Sequence, residues 1–413
     1  MFLALSIIIL LLFILLVINK FKIVPQYAIV LYVFSFVLGF YINDSNHYWI
    51  CQALLFFVFF ITSSFTFKKN IYNDSFKEYR FNYLFYYIVV GLIIYHYIAG
   101  GIPAFSDNVV VDRFDFTSSG LFGIPGRMAN YGRLFILFYS LYFYNRKSIF
   151  QNYTKYDKYF YISIIINIIC SLFAGTKSAL ISMIFVFIYL IAFWDHPVSI
   201  KLFLKPKYFV ILGIMICFGI IYMQYYFNVY NSQFMNSQYS NMGFWQYVFY
   251  RLTNMSVDSG IFVLKNKDIK SITYFDEIIY YVQKYFHISL TDKKVYPLEI
   301  WASLGLDGKT YTGAYSIYTP VTIGFVAESI YHFRYFSIFF VFLFGFVYGS
   351  ILKKIKKFRS PIEYASLGLV IYFMNCFIGK GNLIYNTINC FLMILIMCVI
   401  YKISKIIMNS VKI

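Results

Sequence analysis

The stretch YFVILGIMICFGIIYMQYYF, residues 208–227, carries no charged side chain along its whole length. An apolar run of about 18 residues or more is long enough for one helix to cross a bilayer. Similar runs recur along the 413-residue chain, which is 61% hydrophobic and only 13% charged. Soluble domains carry about a quarter charged residues, so the composition excludes a soluble enzyme. The chain is predicted to be an all-α polytopic membrane protein, because barrel strands would alternate instead.

Hydropathy predicts about eleven transmembrane helices in a single integral membrane domain that covers residues 1–413. The predicted spans are 1–18, 24–42, 48–67, 81–99, 129–144, 159–174, 179–194, 208–227, 333–352, 362–378 and 387–407. Two longer loops, 100–128 and 228–332, are predicted to be extracytoplasmic. The later loop is expected to be partly helical, because residues 272–287 repeat apolar side chains as a helix in the membrane interface would.

The charged residues predict how the chain is oriented. Most of the 35 Lys and Arg residues fall in one alternating set of loops, and most of the 17 Asp and Glu residues fall in the other. Loops rich in Lys and Arg stay cytoplasmic. The N-terminus is therefore predicted outside and the C-terminus inside. This topology accounts for the net charge of +18, so nucleic acid is not an expected partner.

Several common catalytic motifs are missing from the sequence. It contains no phosphate-binding Gly-x-x-x-x-Gly-Lys, no His-Glu-x-x-His, no Gly-x-Ser-x-Gly and no Asp-x-Asp pair. These motifs support nucleotide hydrolysis, zinc proteolysis, serine hydrolysis and metal-bound nucleotide sugars. A transferase activity in this chain is therefore expected to need neither a nucleotide nor a metal.

Cations cluster in the first long loop. The segment GGIPAFSDNVVVDRFDFTSSGLFGIPGR, residues 100–127, sets Arg113 between two aspartates and ends at Arg127, with Arg133 one turn into the next helix. The planar guanidinium matches phosphate oxygens, so an anionic ligand carried on a lipid fits here. The alternative is that Arg113 pairs with its aspartates while Arg127 and Arg133 anchor helices at the headgroups.

A further cation, Lys177, lies in the turn FAGTKSALI between two predicted spans. A lysine in the polar turn between two apolar helices indicates an interior position with an anionic partner. Equally, its side chain could cap the carbonyl groups at the end of the preceding helix.

The later loop opens with GFWQYVFYRLTNMSVDSGIFVL, residues 243–264. Arg251 and Asp258 recur there at helical spacing, so a helix would place them on one face. A cation and an acid are therefore predicted to lie close together at the membrane boundary.

The same loop ends with TGAYSIYTPVTIGFVAESIYHFR, which brings Glu328, His332 and Arg334 to the mouth of the next span. Glu328 and His332 are one helical turn apart. A carboxylate or an imidazole in this place could act as a general base toward a sugar hydroxyl. For His332, a structural position in the interface is the alternative.

The order of these motifs resembles the Wzy-type O-antigen polymerase family. The matching segments are GGIP, DRF, GLFG and GR within residues 100–127, AGTKSAL at 174–180, and GFVAESIYHFRYFSIFFVFLFGFVYG at 324–349. Lys177 stands where this family more often has arginine. The substitution keeps the charge but loses the bidentate fork.

The resemblance implies a GT-C-like glycosyltransferase of the bacterial inner membrane that needs no metal, nucleotide or other cofactor. It would act on the periplasmic face, moving a growing glycan from undecaprenyl pyrophosphate to the terminal sugar of a new lipid-linked repeat unit. Its partners would be these lipid-linked oligosaccharides, the lipid bilayer and a chain-length regulator.

Roles for the candidate site residues follow from the resemblance and from their chemistry. Cations would bind and neutralise the departing pyrophosphate, which stabilises the charge that develops there. The pyrophosphate-binding candidates are Arg113, Arg127, Arg251, Lys177 and Arg334. The candidates for accepting the proton of the acceptor hydroxyl are Glu328, Asp258 and His332.

Three other functions stay open at the level of the sequence. An O-antigen ligase would share the donor lipid and the outer-face chemistry. A flippase for lipid-linked oligosaccharides would place charged residues in a central cavity rather than at the outer mouths of the helices. A structural membrane protein would need none of the outer charges. For a polymerase, the sequence also leaves the product open, because an enzyme for capsule or exopolysaccharide would look the same as one for O-antigen.

Overall fold

The computed structural model describes ten continuous ranges of the chain and several shorter pieces. The ranges are 79–106, 123–145, 154–174, 243–253, 255–266, 272–286, 288–291, 295–307, 322–355 and 360–410; the pieces are 112, 116 and parts of 54–63 and 206–228. All regular structure within these residues is helical. The all-α part of the prediction is therefore confirmed for the described residues.

The longer helices of the described residues are numbered here in chain order. They are α1 (Tyr83–Gly100), α2 (Arg133–Asn145), α3 (Thr154–Phe173), α4 (Phe244–Thr253), α5 (Met255–Lys265), α6 (Tyr274–Phe286), α7 (Leu298–Asp307), α8 (Phe325–Phe333), α9 (Ser337–Ile355), α10 (Pro361–Lys380) and α11 (Leu383–Ser410). A helical turn at Ile124–Arg127 and a π-helical turn at Met128–Gly132 lead into α2.

Five stretches of the described residues are long and apolar enough to cross a membrane. They are Tyr83–Phe105, Tyr156–Phe173, Phe325–Lys354, Pro361–Lys380 and Leu383–Ser410. Each overlaps one predicted span, because a long uncharged run is a strong signal in the sequence. These helices indicate a membrane protein.

The other six predicted spans have different outcomes. The span at 129–144 corresponds to α2 and the π-helical turn before it, and α2 alone is 13 residues long. The spans at 1–18, 24–42 and 179–194 lie outside the described residues, and those at 48–67 and 208–227 are described only in part. The layout of eleven spans and their loops therefore stays a prediction.

The long helices expose apolar side chains at their surface. On α11 the exposed residues Phe391, Leu395, Val399 and Ile403 are four positions apart, so they form one stripe along the helix. Apolar surface of this extent is unfavourable in water and is the surface that a bilayer covers. The stripe therefore agrees with a helix that faces lipid.

The chain divides into two compact units. The first unit comprises Met1–Lys68, Val198–Ser350 and Met374–Asn386. The second unit comprises Lys69–Pro197, Ile351–Phe373 and Thr387–Ile413. The two units contain different kinds of buried polar groups, and each is described by itself below.

In the second unit, helix α2 is enclosed by protein, since every residue of it except Tyr144 is buried. Asn82, the residue just before α1, makes hydrogen bonds to three helices of this unit. Its side chain accepts from the backbone N–H of Phe85 at 2.9 Å and donates to Ser404 Oγ at 2.8 Å. Its backbone N–H donates to the hydroxyl of Tyr139 at 2.9 Å. One residue therefore connects α1, α2 and α11.

In the first unit, α8 ends where the backbone of Arg334 adopts a positive φ of 49°. A positive φ is uncommon for residues other than glycine. A 3₁₀ turn at Arg334–Phe336 follows and leads into α9. Aromatic rings pack around the start of α8, where the Phe325 ring lies 5.1 Å from that of Phe377 and 5.6 Å from that of Phe344. This packing holds α8 in the interior.

Gly368 on α10 gives a test of packing in the second unit. A Cβ atom at this position would lie 2.6–2.9 Å from ring atoms of buried Phe138 on α2. We expect Gly368→Ala to lower the free energy of unfolding by roughly 1–3 kcal/mol, because a packed aromatic ring cannot move aside cheaply. The measurement is thermal unfolding of the purified protein in detergent.

Gly91→Ala on α1 is the matched control. Nothing lies within 4 Å of a Cβ built at Gly91. Alanine has the higher helix propensity, so this variant should be unchanged or more stable by up to about 1 kcal/mol. Equal melting temperatures for the two variants would contradict the packing described here.

Candidate functional site

Three buried glutamates lie close together in the first unit, and we call them the acid cluster: Glu277, Glu299 and Glu328. They come from α6, α7 and α8, and their exposed fractions are 2%, 7% and 1%. Glutamate is almost never fully buried unless it is paired. The partners of each carboxylate therefore determine what the cluster can do.

Glu328 holds the start of α11. Its carboxylate accepts hydrogen bonds from the backbone N–H groups of Asn382 and Leu383, the second at 2.9 Å. The first N–H groups of a helix have no partner inside the helix, and a negative charge near them is favourable. Gly381 keeps the approach open, because a Cβ there would lie 2.9 Å from Glu328 Oε2. Glu328 is thus a tertiary cap of α11.

Asn382 connects two members of the acid cluster without adding charge. Its side-chain NH₂ group donates to Glu299 and to the hydroxyl of Tyr281, the latter at 2.7 Å. Its side-chain oxygen accepts from the backbone N–H of Tyr385 at 2.9 Å. The backbone of Asn382 has a φ of 65°, a conformation that asparagine adopts more readily than most residues. The turn between α10 and α11 therefore depends on this side chain.

Glu277 is less well satisfied than Glu328. Its Oε1 accepts from the backbone N–H of Leu298 at 3.2 Å, whereas its Oε2 is buried and has no hydrogen-bond partner within the described part of the chain. Burial, and then the charge of Glu328, raises the pKa of Glu277 to about 8. The pKa of Glu299 is also raised well above its ordinary value, by burial and by the charges of Glu277 and Glu328.

His332 lies beside two members of the acid cluster. One oxygen each of Glu277 and Glu328 and one ring nitrogen of His332 all lie within 4.8 Å of one another. The ring of Tyr274 stacks on the imidazole, with 3.8 Å between ring centroids and 21° between ring planes. Two carboxylates and an imidazole at such distances are groups that can bind a metal ion.

Among the described residues, the second unit buries two arginines, Arg127 and Arg133. Arg127 donates from Nε to Asn389 Oδ1 at 2.6 Å. Arg133 donates from Nε to the carbonyl of Asn130 at 3.1 Å, and from Nη1 to the carbonyl of Asn167 at 2.8 Å and to Ser171 Oγ at 2.7 Å. Each arginine is 7% exposed. All the hydrogen bonds of Arg133 to described residues end on neutral oxygens.

The structure brings some of the predicted site residues together and separates others. Glu328 and His332 are neighbours, as their spacing on one helix predicts. Arg127 lies in the second unit, and Arg334 is exposed at the end of α8.

The other four candidates, whose side chains lie outside the described residues, are Arg251, Asp258, Arg113 and Lys177. Arg251 and Asp258 lie on α4 and α5, but their side chains are outside the description, as is Asn254 between the two helices. Arg113 and Lys177 lie outside the described residues. The predicted pairing of Arg251 with Asp258 therefore stays a prediction.

Sequence reasoning missed Glu277, Glu299 and Asn382. The amphipathic helix predicted at 272–287 exists as α6, but its apolar residues Phe275 and Ile278 are exposed. Its buried face carries Glu277, Tyr281 and Tyr285, spaced four residues apart.

The sequence signal for this buried face was the spacing of Glu277, Tyr281 and Tyr285, which places a glutamate and two tyrosines on one side of a helix. When a helix has apolar residues along one side and regularly spaced tyrosines along the other, neither side is typical of a water-exposed surface. Nothing local in the sequence around Glu299 or Asn382 distinguishes either residue from its neighbours.

Comparisons with known proteins give no relative for this chain: no protein-family model, no curated protein and no solved structure matches it. The site is therefore interpreted from its own geometry. Each unit has its own candidate group among the described residues: the acid cluster with His332 in the first, and the two buried arginines in the second.

The role of Asn382 can be tested with Asn382→Gly, which retains access to the positive φ. The substitution leaves Glu299 and Tyr281 without their shared donor and Tyr385 without its acceptor. We expect the free energy of unfolding to fall by about 2–4 kcal/mol, because buried groups that lose their partners pay the desolvation cost. Thermal unfolding in detergent measures the loss.

Asn266→Ala serves as the control for removing an asparagine side chain. Asn266 donates to the carbonyl of Phe262 at 2.8 Å and is half-buried. Losing one hydrogen bond of this kind costs about 1 kcal/mol. If the melting temperature of Asn382→Gly is no lower than that of Asn266→Ala, the Asn382 side chain does not stabilise the turn and the acid cluster as described.

Proposed function

We propose that the chain is a membrane glycosyltransferase that polymerises lipid-linked oligosaccharide repeat units, as the resemblance to Wzy-type polymerases implies. It transfers the growing glycan from undecaprenyl pyrophosphate to the terminal sugar of a new lipid-linked repeat unit. The product is O-antigen or a related surface polysaccharide. The proposal is supported by the helical membrane architecture, the order of the motifs and the buried arginines.

The observation that carries the proposal is the environment of Arg133. Its guanidinium is buried in a helical unit and is held in place by neutral oxygens of Asn130, Asn167 and Ser171. A charged residue inside a membrane protein is costly, and it usually marks a site for a ligand or an ion. A cation whose contacts with the described residues orient it without neutralising it suits an anionic ligand such as a pyrophosphate.

In the proposed reaction, the arginines act on the leaving group. As the glycosidic bond to the donor breaks, negative charge grows on the pyrophosphate of the carrier lipid, and a guanidinium held in place lowers the energy of that state. Arg127 and Arg133 supply this charge in the second unit. Arg113, Arg251, Lys177 and Arg334 remain the other proposed cations.

On the acceptor side, a base takes the proton from the attacking sugar hydroxyl. Of the three proposed bases, Glu328 already accepts two backbone hydrogen bonds, so it suits the positioning of α11 better than proton transfer. Asp258 and His332 are therefore the preferred proton acceptors in this proposal.

The proposed location follows from the charge distribution. We place the chain in the bacterial inner membrane with its N-terminus in the periplasm and its C-terminus in the cytoplasm, because the basic loops then face inward. In this orientation the loops at 100–128 and 228–332 meet the substrates at the periplasmic face. A chain-length regulator is the proposed protein partner.

A flippase is the second candidate, and the burial of Arg133 among α2 and α3 favours it to some degree. A transporter for an anionic lipid-linked substrate also needs a cation inside its helices. An O-antigen ligase is the third candidate, since it would use the same donor lipid. The three differ in the material that accumulates when the gene is lost.

The first test deletes the gene in its own host and restores it on a plasmid. Surface and lipid-linked polysaccharides are then separated on a gel. For a polymerase we expect the long ladder to collapse to lipid A-core that bears one repeat unit, because flipping and ligation continue. Long chains that stay on the carrier lipid beside bare core would instead identify a ligase, and lipid-linked single units retained inside would identify a flippase.

The second test uses arginine variants in the same host. Arg133→Gln and Arg127→Gln should each reduce the amount of long polymer by at least about 10-fold, since removing one oriented donor typically costs 10²–10³ in rate. Arg251→Ala should act in the same direction. Arg80→Gln, which changes an exposed arginine on the predicted cytoplasmic side, should leave the ladder intact.

Each variant must be present at the wild-type protein level, which immunoblotting of an epitope tag checks. If Arg133→Gln and Arg127→Gln leave the length and the amount of polymer unchanged at that level, the arginines do not bind the leaving group. The polymerase assignment would then rest on the deletion experiment alone.

A further inference from the structure

Glu277, Glu328 and His332 form a constellation that the proposed transfer reaction does not require. Glu328 and His332 lie one turn apart on α8, and Glu277 reaches them from α6. One possible ligand atom of each residue lies within 4.8 Å of the other two. We propose that these three residues bind a divalent transition-metal cation such as Zn²⁺ or Mn²⁺.

A second observation points to a ligand at the same place. Glu277 is 2% exposed, and its Oε2 has no hydrogen-bond partner among the residues that the structure describes. The hydroxyl of Tyr274, whose ring stacks on His332, is likewise buried without such a partner. Buried polar atoms are nearly always hydrogen-bonded in folded proteins. Glu277 and Tyr274 both lie against His332, and a cation bound there would offer their unsatisfied oxygens an electropositive partner.

The balance of charge around the site also favours a cation. Glu277 and Glu328 lie within reach of each other, and Glu299 is bound to the same Asn382 that donates to Glu328. Backbone N–H groups, the Asn382 amide and the Tyr281 hydroxyl donate to these carboxylates, and each of these donors is neutral. Buried charges are normally paired or coordinate a metal. A divalent cation would supply the charge that these partners lack.

The donor set indicates which cation fits. An imidazole nitrogen suits zinc and other transition metals, whereas magnesium and calcium prefer oxygen ligands alone. Two carboxylates and one imidazole leave a coordination position open for water or substrate, as three-ligand zinc sites do. Ligands of one tetrahedral zinc lie roughly 3.5 Å apart, as bond lengths of about 2.0–2.2 Å require. The three groups would therefore need to draw together modestly on binding.

Groups that hold the ligands in place are already present. The N–H of Leu298 bonds to Glu277, and the N–H groups of Asn382 and Leu383 bond to Glu328. The Tyr274 ring fixes the plane of the imidazole. Partners of this kind orient metal ligands and are a regular part of metal sites. A carboxylate oxygen has more than one lone pair, so it can accept an N–H and bind a cation together.

The site goes beyond the proposed polymerase activity, which was expected to need no metal. No single sequence motif marks this site, because its ligands come from two helices, with Glu277 far upstream of the Glu-x-x-x-His pair on α8. With a cation bound, His332 would serve as a ligand, and Asp258 would remain as the proposed proton acceptor. Metal binding at this site does not depend on whether the chain carries out the proposed transfer reaction.

The test measures metal binding by the full-length protein in detergent. The protein is stripped with a chelator, dialysed and titrated with Zn²⁺ alone, and bound metal is counted by mass spectrometry. We expect one Zn²⁺ per chain. Glu277→Gln and His332→Gln should each weaken binding by roughly 10–100-fold or more. Glu299→Gln, which removes a buried acid of the same cluster that is not a proposed ligand, should weaken binding clearly less than either ligand substitution, because it lowers the local negative charge but removes no ligand.

Co²⁺ substitution in the wild-type protein provides a second measurement that needs no variant. An absorption spectrum with visible bands typical of a four- or five-coordinate nitrogen and oxygen site is the expected result. No stoichiometric binding of Zn²⁺ and no such spectrum would overturn the proposal, and so would equal losses for Glu277→Gln and Glu299→Gln. None of these readouts depends on polymer synthesis, so failure here leaves the proposed transferase activity untouched.

Discussion

The contact between the Glu328 carboxylate and the first N–H groups of α11 is the interaction on which the polar interior of the first unit depends. An apolar environment offers no water to satisfy a helix terminus or a carboxylate, so each must find its partner within the protein. Glu328 and the start of α11 satisfy each other. The turn at Gly381 and Asn382 follows from this contact, and it delivers the amide that bonds to Glu299.

Among the described residues, the first unit buries three glutamates and the second unit buries two arginines. In the first unit three carboxylates share neutral donors, and their burial keeps the pKa of Glu277 and of Glu299 above ordinary values. In the second unit Arg127 and Arg133 are held by amide, hydroxyl and carbonyl oxygens. The contacts of Arg133 with described residues are all to neutral oxygens, so they orient its guanidinium without cancelling its charge.

The long apolar helices could be predicted from the sequence because length and hydropathy are local properties. The helix at α6 and the closeness of Glu328 to His332 followed from helical spacing in the same way. The acid cluster could not be predicted in this way, since Glu277, Glu299 and Asn382 lie on three separate segments that meet only when the chain packs. The break at Arg334 was also beyond the sequence, which predicted a span at 333–352 without the positive φ that ends α8. In each case tertiary packing, not local pattern, decided the outcome.

The enclosure of α2 bears on how the protein is assembled in its membrane. This short helix has protein around nearly all of its residues and carries Arg133 in its first turn. During insertion it would meet lipid before its neighbours arrive, and a lone guanidinium at that depth is expensive. Two of the three oxygens that accept from Arg133 lie on α3, the next described helix along the chain, where Asn167 also donates a hydrogen bond to the Arg133 carbonyl at 2.9 Å. The two helices therefore suit insertion as a pair, with the polar contact made before either one faces the hydrocarbon alone.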